Sequence, residues 1–225
     1  KTTLTERLLQ AAGVIDEVGS VDKGTTQTDF LALERQRGIT IRSAVVSFEI
    51  GDVAVNLIDT PGHPDFIAEV ERVLGVLDGA VLVVSAVEGV QAQTTLLMRA
   101  LQRLRVPTLI FVNKVDRAGA DDERVLGAIS QRLTPAIVPM GSVREIGTRA
   151  ASLVAWSDDD VRFADVAAPI LAENDDDLLA AFLEDERGIS AARLRAALAA
   201  QTGRALVHPV FFGAALTGAG VATVS

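Results

Sequence analysis

Leu4, Leu8, Leu9 and Ala12 recur at helical spacing and Gly13 follows them, which predicts an amphipathic helix that opens at Lys1-Thr2-Thr3 and is closed by the glycine. The period then changes. Ala44 to Ile50 alternates apolar and polar residues, Val53 to Ile58 is short and rich in β-branched residues, and Gly51-Asp52 lies between them, the pattern of a hairpin whose second strand reads as buried. Pro64 to Leu77 predicts a helix with Phe66, Val70, Val73 and Leu77 on one face, and Gly79 to Val84 a fully buried strand. Gln93 to Leu104 reads as helix, Thr108 to Val112 as a buried strand, Asp121 to Leu133 as helix. After Pro135 the regular alternation lapses. Acidic clusters stand at Asp158-Asp159-Asp160, Asp175-Asp176-Asp177 and Glu184-Asp185-Glu186, helical stretches lie near Leu178 and Ala191, and a last strand is predicted at Pro209 to Phe212. Strands alternating with helices imply an α/β fold with a mostly parallel sheet and helices on both faces.

Composition narrows the class. At 225 residues and 49% hydrophobic content the chain can bury a core of one large or two small domains. Its longest apolar run, Ala80 to Val87, is broken by Ser85 and ends at Glu88, far short of the ~20 residues that span a bilayer. No membrane partner is expected. Cysteine is absent, which excludes disulfides and thiolate metal sites and fits a reducing, cytoplasmic setting. A net charge of −9 argues against a broad surface for free DNA, so any nucleic-acid contact is expected to be local. The chain starts at Lys1 without a methionine or a signal peptide, and reads as a fragment. Of its 21 basic residues only Lys1, Lys23 and Lys114 are lysine, as expected where a compact point charge is needed in place of a guanidinium fork.

Two of those lysines stand where chemistry is expected. Asp59 follows the strand that begins at Val53, at the carboxyl edge where ligands bind open α/β sheets, and a lone acid there can hold Mg²⁺ through water. Thr60 and Pro61 make the turn. Gly62 offers an unhindered N–H to a terminal phosphate, and His63 follows within reach of it. Asp-Thr-Pro-Gly is equally good turn chemistry without a ligand. Lys1-Thr2 at a helix start matches the last two positions of a phosphate-binding loop, with the lysine on the β- and γ-phosphates and the threonine hydroxyl on Mg²⁺. A lysine at a frayed terminus is the plain alternative. The long polar stretch from Gly19 to Gly38 leads into Ile39-Thr40-Ile41, where a threonine that ligates Mg²⁺ would order the segment with a triphosphate and release it after hydrolysis. Asn113-Lys114-Val115-Asp116 closes the strand from Thr108. The Asp116 carboxylate can accept from guanine's N1–H and 2-amino group, Asn113 can serve the acceptor edge, and the Lys114 stem can lie along the ring. Gly213-Ala214-Ala215, after the last strand, can present backbone N–H groups to the base carbonyl. The acid triplets lack the glycine and spaced glutamate of a calcium loop and read as a solvated face.

Lys1-Thr2-Thr3, Arg37-Gly38-Ile39-Thr40-Ile41, Asp59-Thr60-Pro61-Gly62-His63 and Asn113-Lys114-Val115-Asp116 resemble, in order and spacing, the nucleotide motifs of translational GTPases. The stretch Gly19 to Asp29 looks like the tetracycline-resistance ribosomal protection proteins rather than elongation factor G. The resemblance implies a P-loop NTPase-type sheet whose first strand and glycine half of the phosphate loop are missing here. The strands from Val53 and from Ala80 would then flank the missing one, leaving a piece that, made alone, is unstable and binds GTP weakly. It implies GTP as substrate, GDP as product, Mg²⁺ as cofactor and the ribosome as partner, reached mostly through domains outside the chain. By resemblance Lys1 binds phosphate, Thr2 and Thr40 ligate Mg²⁺, Asp59 supports the metal through water, Ile39 gates the site and His63 positions the attacking water. Asn113, Lys114 and Asp116 select guanine. Residues 1 to 225 would form one GTP-binding domain with a variable insertion at about 140 to 203. Gly213-Ala214-Ala215 departs from the usual Gly-Ser-Ala and lacks its hydroxyl. Elongation factor G-type translocation and a non-hydrolysing GTP-binding module stay open as alternatives.

Overall fold

The computed structural model of the chain describes residues 1–19, 43–61, 67–157, 160–185 and 188–223. Ile39, Thr40, Gly62 and His63 lie outside the described residues. Two compact units are present, one of residues 1–76 with 214–225 and one of residues 77–213.

The first unit is built on helix α1 (Thr2–Ala11) and a hairpin of β1 (Ala44–Ile50) and β2 (Val53–Asp59). Helix α1 buries Leu4, Leu8 and Leu9, three of the four residues whose spacing predicted it, and Gly13 leaves it with φ +71, a left-handed turn that suits glycine. The hairpin pairs Ala44 with Asp59 and Ile50 with Val53 across Gly51-Asp52. Gly51 has φ +57. One expectation fails here. β2 is half-exposed through most of its length, and Asp59 is its buried residue. Val45 and Val53 are 62% and 63% exposed. A short apolar run shows that a strand forms but not which of its faces is covered. The unit also holds α2 (Ile67–Leu74), which buries Val70 and Leu74.

The second unit carries a parallel sheet in the order β3 (Ala80–Ser85), β4 (Thr108–Asn113), β8 (His208–Phe212), β5 (Ile137–Pro139). Helices α3 (Ala92–Leu104), α4 (Asp122–Arg132), α5 (Val161–Ala172), α6 (Asp176–Glu184) and α7 (Ala191–Gly203) join and flank its strands. A hairpin of β6 (Gly141–Arg144) and β7 (Ser152–Ala155) completes the unit. The fold class matches the expectation. Ile110, Phe111 and Val112 on β4 are fully enclosed, at roughly 1.5–3 kcal/mol of stabilisation for each large side chain so removed from water. β3, expected to be buried on both faces, is not. It alternates, with Leu82 and Val84 inside and Val81 37% exposed.

The region after Pro135 holds more order than its sequence announced. Helix α5 was not expected. Phe163, Ala167, Ala168 and Leu171 on α5 join Leu178, Leu194 and Leu198 in a core of their own, against Val138 and Val207. Asp160 and Asp175 each stand immediately before a helix. Asp160 accepts from the Arg162 N–H and Asp175 from the Leu178 N–H, so each meets a donor that the first turn would otherwise leave unpaired.

Candidate functional site

In the first unit, Lys1 precedes α1 and Asp59 ends β2, so the hairpin register and the packing of α1 against β2 set both residues. The Lys1 Nζ donates to the Pro61 carbonyl at 3.2 Å. Desolvation lowers the Lys1 pKa from its ordinary value, and the Asp59 carboxylate pulls it back upward. Thr2 and Asp59 are 6% and 4% exposed. A hydroxyl and a carboxylate are hard oxygen donors, the kind Mg²⁺ takes one or two of alongside phosphate oxygens, so the residues present fit that ion. Among the described residues no cluster of three or more acids and histidines forms a metal cage, and an ion shared with phosphate would not need one. Thr3 and Thr60 are half-buried beside them.

Also in this unit, Ala214 and Ala215 lie in a turn that folds back on itself. Ala214 N–H donates to the Ala219 carbonyl at 2.9 Å and Gly218 N–H to the Ala214 carbonyl at 2.8 Å. Glu6, fully enclosed on α1, accepts from the Gly19 N–H at 2.9 Å, and so ties the helix to the start of the polar stretch.

In the second unit, Asn113 ends β4 and the chain turns sharply. Lys114 takes φ +69, a left-handed conformation that a lysine adopts at some cost. The Asn113 Oδ1 accepts from the Lys114 N–H at 2.8 Å, so the amide oxygen shapes the turn. Val115 is enclosed, donates its N–H to the Gly213 carbonyl at 3.3 Å and accepts from the Gly147 N–H at 2.8 Å. Gly213 N–H donates in turn to Val112 at 2.9 Å. Asp116 is 9% exposed. The Lys114 ammonium reaches Glu88 Oε1 at 2.9 Å, and the other Glu88 oxygen accepts from the Ser85 hydroxyl. The lysine holds the Glu88 carboxyl below its ordinary pKa.

Compared with known proteins, residues 1–225 match the model of the elongation factor Tu GTP binding domain. The chain belongs to this family. The oxytetracycline resistance protein of Streptomyces rimosus is 61% identical to it over 222 residues, which is 98% of this chain and 34% of that protein. Tetracycline resistance protein TetM of Streptomyces lividans is 54% identical over 224 residues, 99% of this chain and 34% of that protein. A crystal structure from Thermus thermophilus, 26% identical, superposes with a TM-score of 0.85 over 99% of this chain and 37% of its own. The chain thus spans about a third of the length of the curated relatives it matches.

Within this GTP-binding domain the structure brings Lys1, Asp59 and Pro61 together in one unit and Asn113, Lys114, Val115, Asp116 and Gly213 together in the other. Sequence reasoning missed Glu88 and Arg7. Glu88 lies 26 positions from Lys114 on a stretch read only as the end of an apolar run. Arg7 looked like any polar helix position. It proves to hold the carbonyls of Ala215 and Leu216. No described helix is long and apolar enough to cross a membrane.

Proposed function

We propose that this domain hydrolyses GTP in a protein that binds and leaves the ribosome and thereby protects it against tetracycline. The observation that carries the reading is the meeting of Lys1 and Asp59 beside Pro61, with buried Thr2 opening α1, in a chain of the GTP-binding family whose relatives at 61% and 54% identity are named for tetracycline-class resistance. Lys1 holds phosphate, Thr2 and Thr40 offer oxygens to Mg²⁺, and Asp59 supports that ion through water. Bound there, Mg²⁺ would neutralise charge on the β- and γ-phosphate oxygens. Asp116 accepts from guanine's N1–H and 2-amino group while Lys114, steadied by Glu88, lies along the ring. Ile39 gates the site and His63 orients the attacking water. Residues 1 to 225 act as one GTP-binding domain, with about 140 to 203 as its variable segment.

Ribosome-stimulated GTP turnover and tetracycline release by the full-length protein test this together. His63→Ala is expected to lower stimulated turnover roughly 10²-fold and leave GTP affinity nearly unchanged. A stimulated rate that survives the substitution removes His63 from the mechanism. Translocation without drug release would assign the protein to the translocase class instead.

A further inference from the structure

The turn after β4 is held peptide by peptide. Asn113 Oδ1 takes the Lys114 N–H. The next peptide group is gripped at both ends, since the Lys114 carbonyl accepts from the Arg117 N–H at 3.1 Å and the Val115 N–H donates to the Gly213 carbonyl at 3.3 Å. The Val115 carbonyl in turn accepts from the Gly147 N–H at 2.8 Å. Asp116 stands where two held planes meet. The plane before it is held by Gly147 through the Val115 carbonyl, and the plane after it by Lys114 through the Arg117 N–H. With both peptide planes fixed, only one direction is left in which the Asp116 side chain can leave the backbone.

The Lys114 contact is local to the turn. Gly147 reaches it from the tip of the β6–β7 hairpin, beyond the last strand pair of Arg144 with Ser152. That tip is shaped for the purpose. Glu145 has φ +52 and Gly147 φ +81, and the Thr148 N–H and hydroxyl both donate to the Glu145 carbonyl, at 3.2 and 2.8 Å. A Cβ at Gly147 would lie 3.6 Å from the Arg117 carbonyl and 3.9 Å from that of Ala120. There is room for a methyl group, so glycine is required by its backbone angle and not by crowding. The residue whose angle most side chains resist is thus the one whose N–H fixes the plane before Asp116. A hairpin that needed only to close could leave that N–H to water.

We propose that Gly147 is a positioning residue for guanine selectivity, its positive φ delivering an N–H to the Val115 carbonyl and so aiming the Asp116 carboxylate at the N1–H and 2-amino edge of the base. Gly147 touches no nucleotide itself, and the proposal rests on the reading of Asp116 as the base contact. Every residue it uses lies within the second unit.

The test compares GTP with inosine triphosphate, which keeps N1–H and lacks only the 2-amino group. Affinities of the full-length protein for both are measured by nucleotide displacement. The unsubstituted protein is expected to prefer GTP by about tenfold or more, the usual worth of a hydrogen bond to a charged acceptor. Gly147→Ala is expected to cut that preference about three- to fivefold, because alanine resists the positive φ. A general loss of folding would lower both affinities alike, so an unchanged ratio in Gly147→Ala overturns the proposal. Gly147→Asn introduces a larger side chain that enters the left-handed region more readily, and should keep most of the preference. An equal fall in both variants would assign the effect to the added side chain and overturn the proposal as well. If Gly147→Ala does not fold, Thr148→Val serves in its place. It removes the hydroxyl bond to the Glu145 carbonyl and should lower the ratio by a smaller factor, and an unchanged ratio there is equally fatal. Equal binding of the two nucleotides by the unsubstituted protein would remove the Asp116 contact to the 2-amino group and the proposal with it, an outcome distinct from a retained preference in the variants.

Discussion

On β8, His208 is 2% exposed and its Nδ1 lies 2.9 Å from the Thr108 carbonyl, which can only accept, so the ring donates from that nitrogen. Burial lowers its pKa from the ordinary 6.5, outweighing the upward pull of the carbonyl. Above about 6.5 the ring is neutral in the folded and the unfolded chain, and adds no pH dependence. Below it the unfolded chain takes up a proton that the folded one refuses, so stability falls with pH, by at most about 1.4 kcal/mol per pH unit from this group. His208→Asn keeps a donor toward Thr108 and cannot titrate. Melting temperatures between pH 7.5 and 5 should decline less steeply in the variant, and an unchanged slope would mean that His208 is not the sensor. Asp59 and Asn113 were legible as strand ends because each closes a β-branched run. The Glu88 contact to Lys114 was not. Nothing local marks a partner 26 positions away, and only the parallel register of Ser85 with Asn113 brings the two loops side by side.

Elements follow the same division. β1, β4 and α3 stand within a residue of their predicted limits, since period and flanking glycines or prolines decide those. Helix α5 was hidden because Pro169 lies inside it, a signal that argues against a helix when read locally. Tertiary burial of Phe163 and Leu171 overrides it. The caps make this quantitative. Asp175→Ala removes the acceptor of the Leu178 N–H and should cost about 1 kcal/mol in chemical denaturation. Asp176→Ala, one position inside the helix, should cost clearly less. Equal losses would assign the effect to charge and not to the cap.

At the scale of the whole chain, the two units differ in how deeply they enclose their strands. Ile110 to Val112 and Val210 are buried from both faces, while β1 and β2 present Val45, Ile50 and Val53 to solvent. Local opening is cheapest where few apolar contacts must be broken. Hydrogen exchange should therefore show the amides of β4 and β8 as the slowest in the chain and those of the β1–β2 hairpin as markedly faster. Hairpin amides as slow as those of Ile110 to Val112 would contradict this.

The Gly147 N–H that reaches the Val115 carbonyl bears on where this domain can be recombined with its relatives. Met140 donates to Val210, its carbonyl accepts from Trp156, and Gly147 reaches the loop of Asn113 and Asp116, so residues 140–156 are stitched to the sheet and to the turn that follows β4. A chimera that exchanges the region after β5 should keep native sequence through Trp156 and splice only beyond it. A junction placed at Met140 would import a foreign hairpin against Val115, and such a graft is expected to lose guanine selectivity even when every nucleotide motif has been left intact.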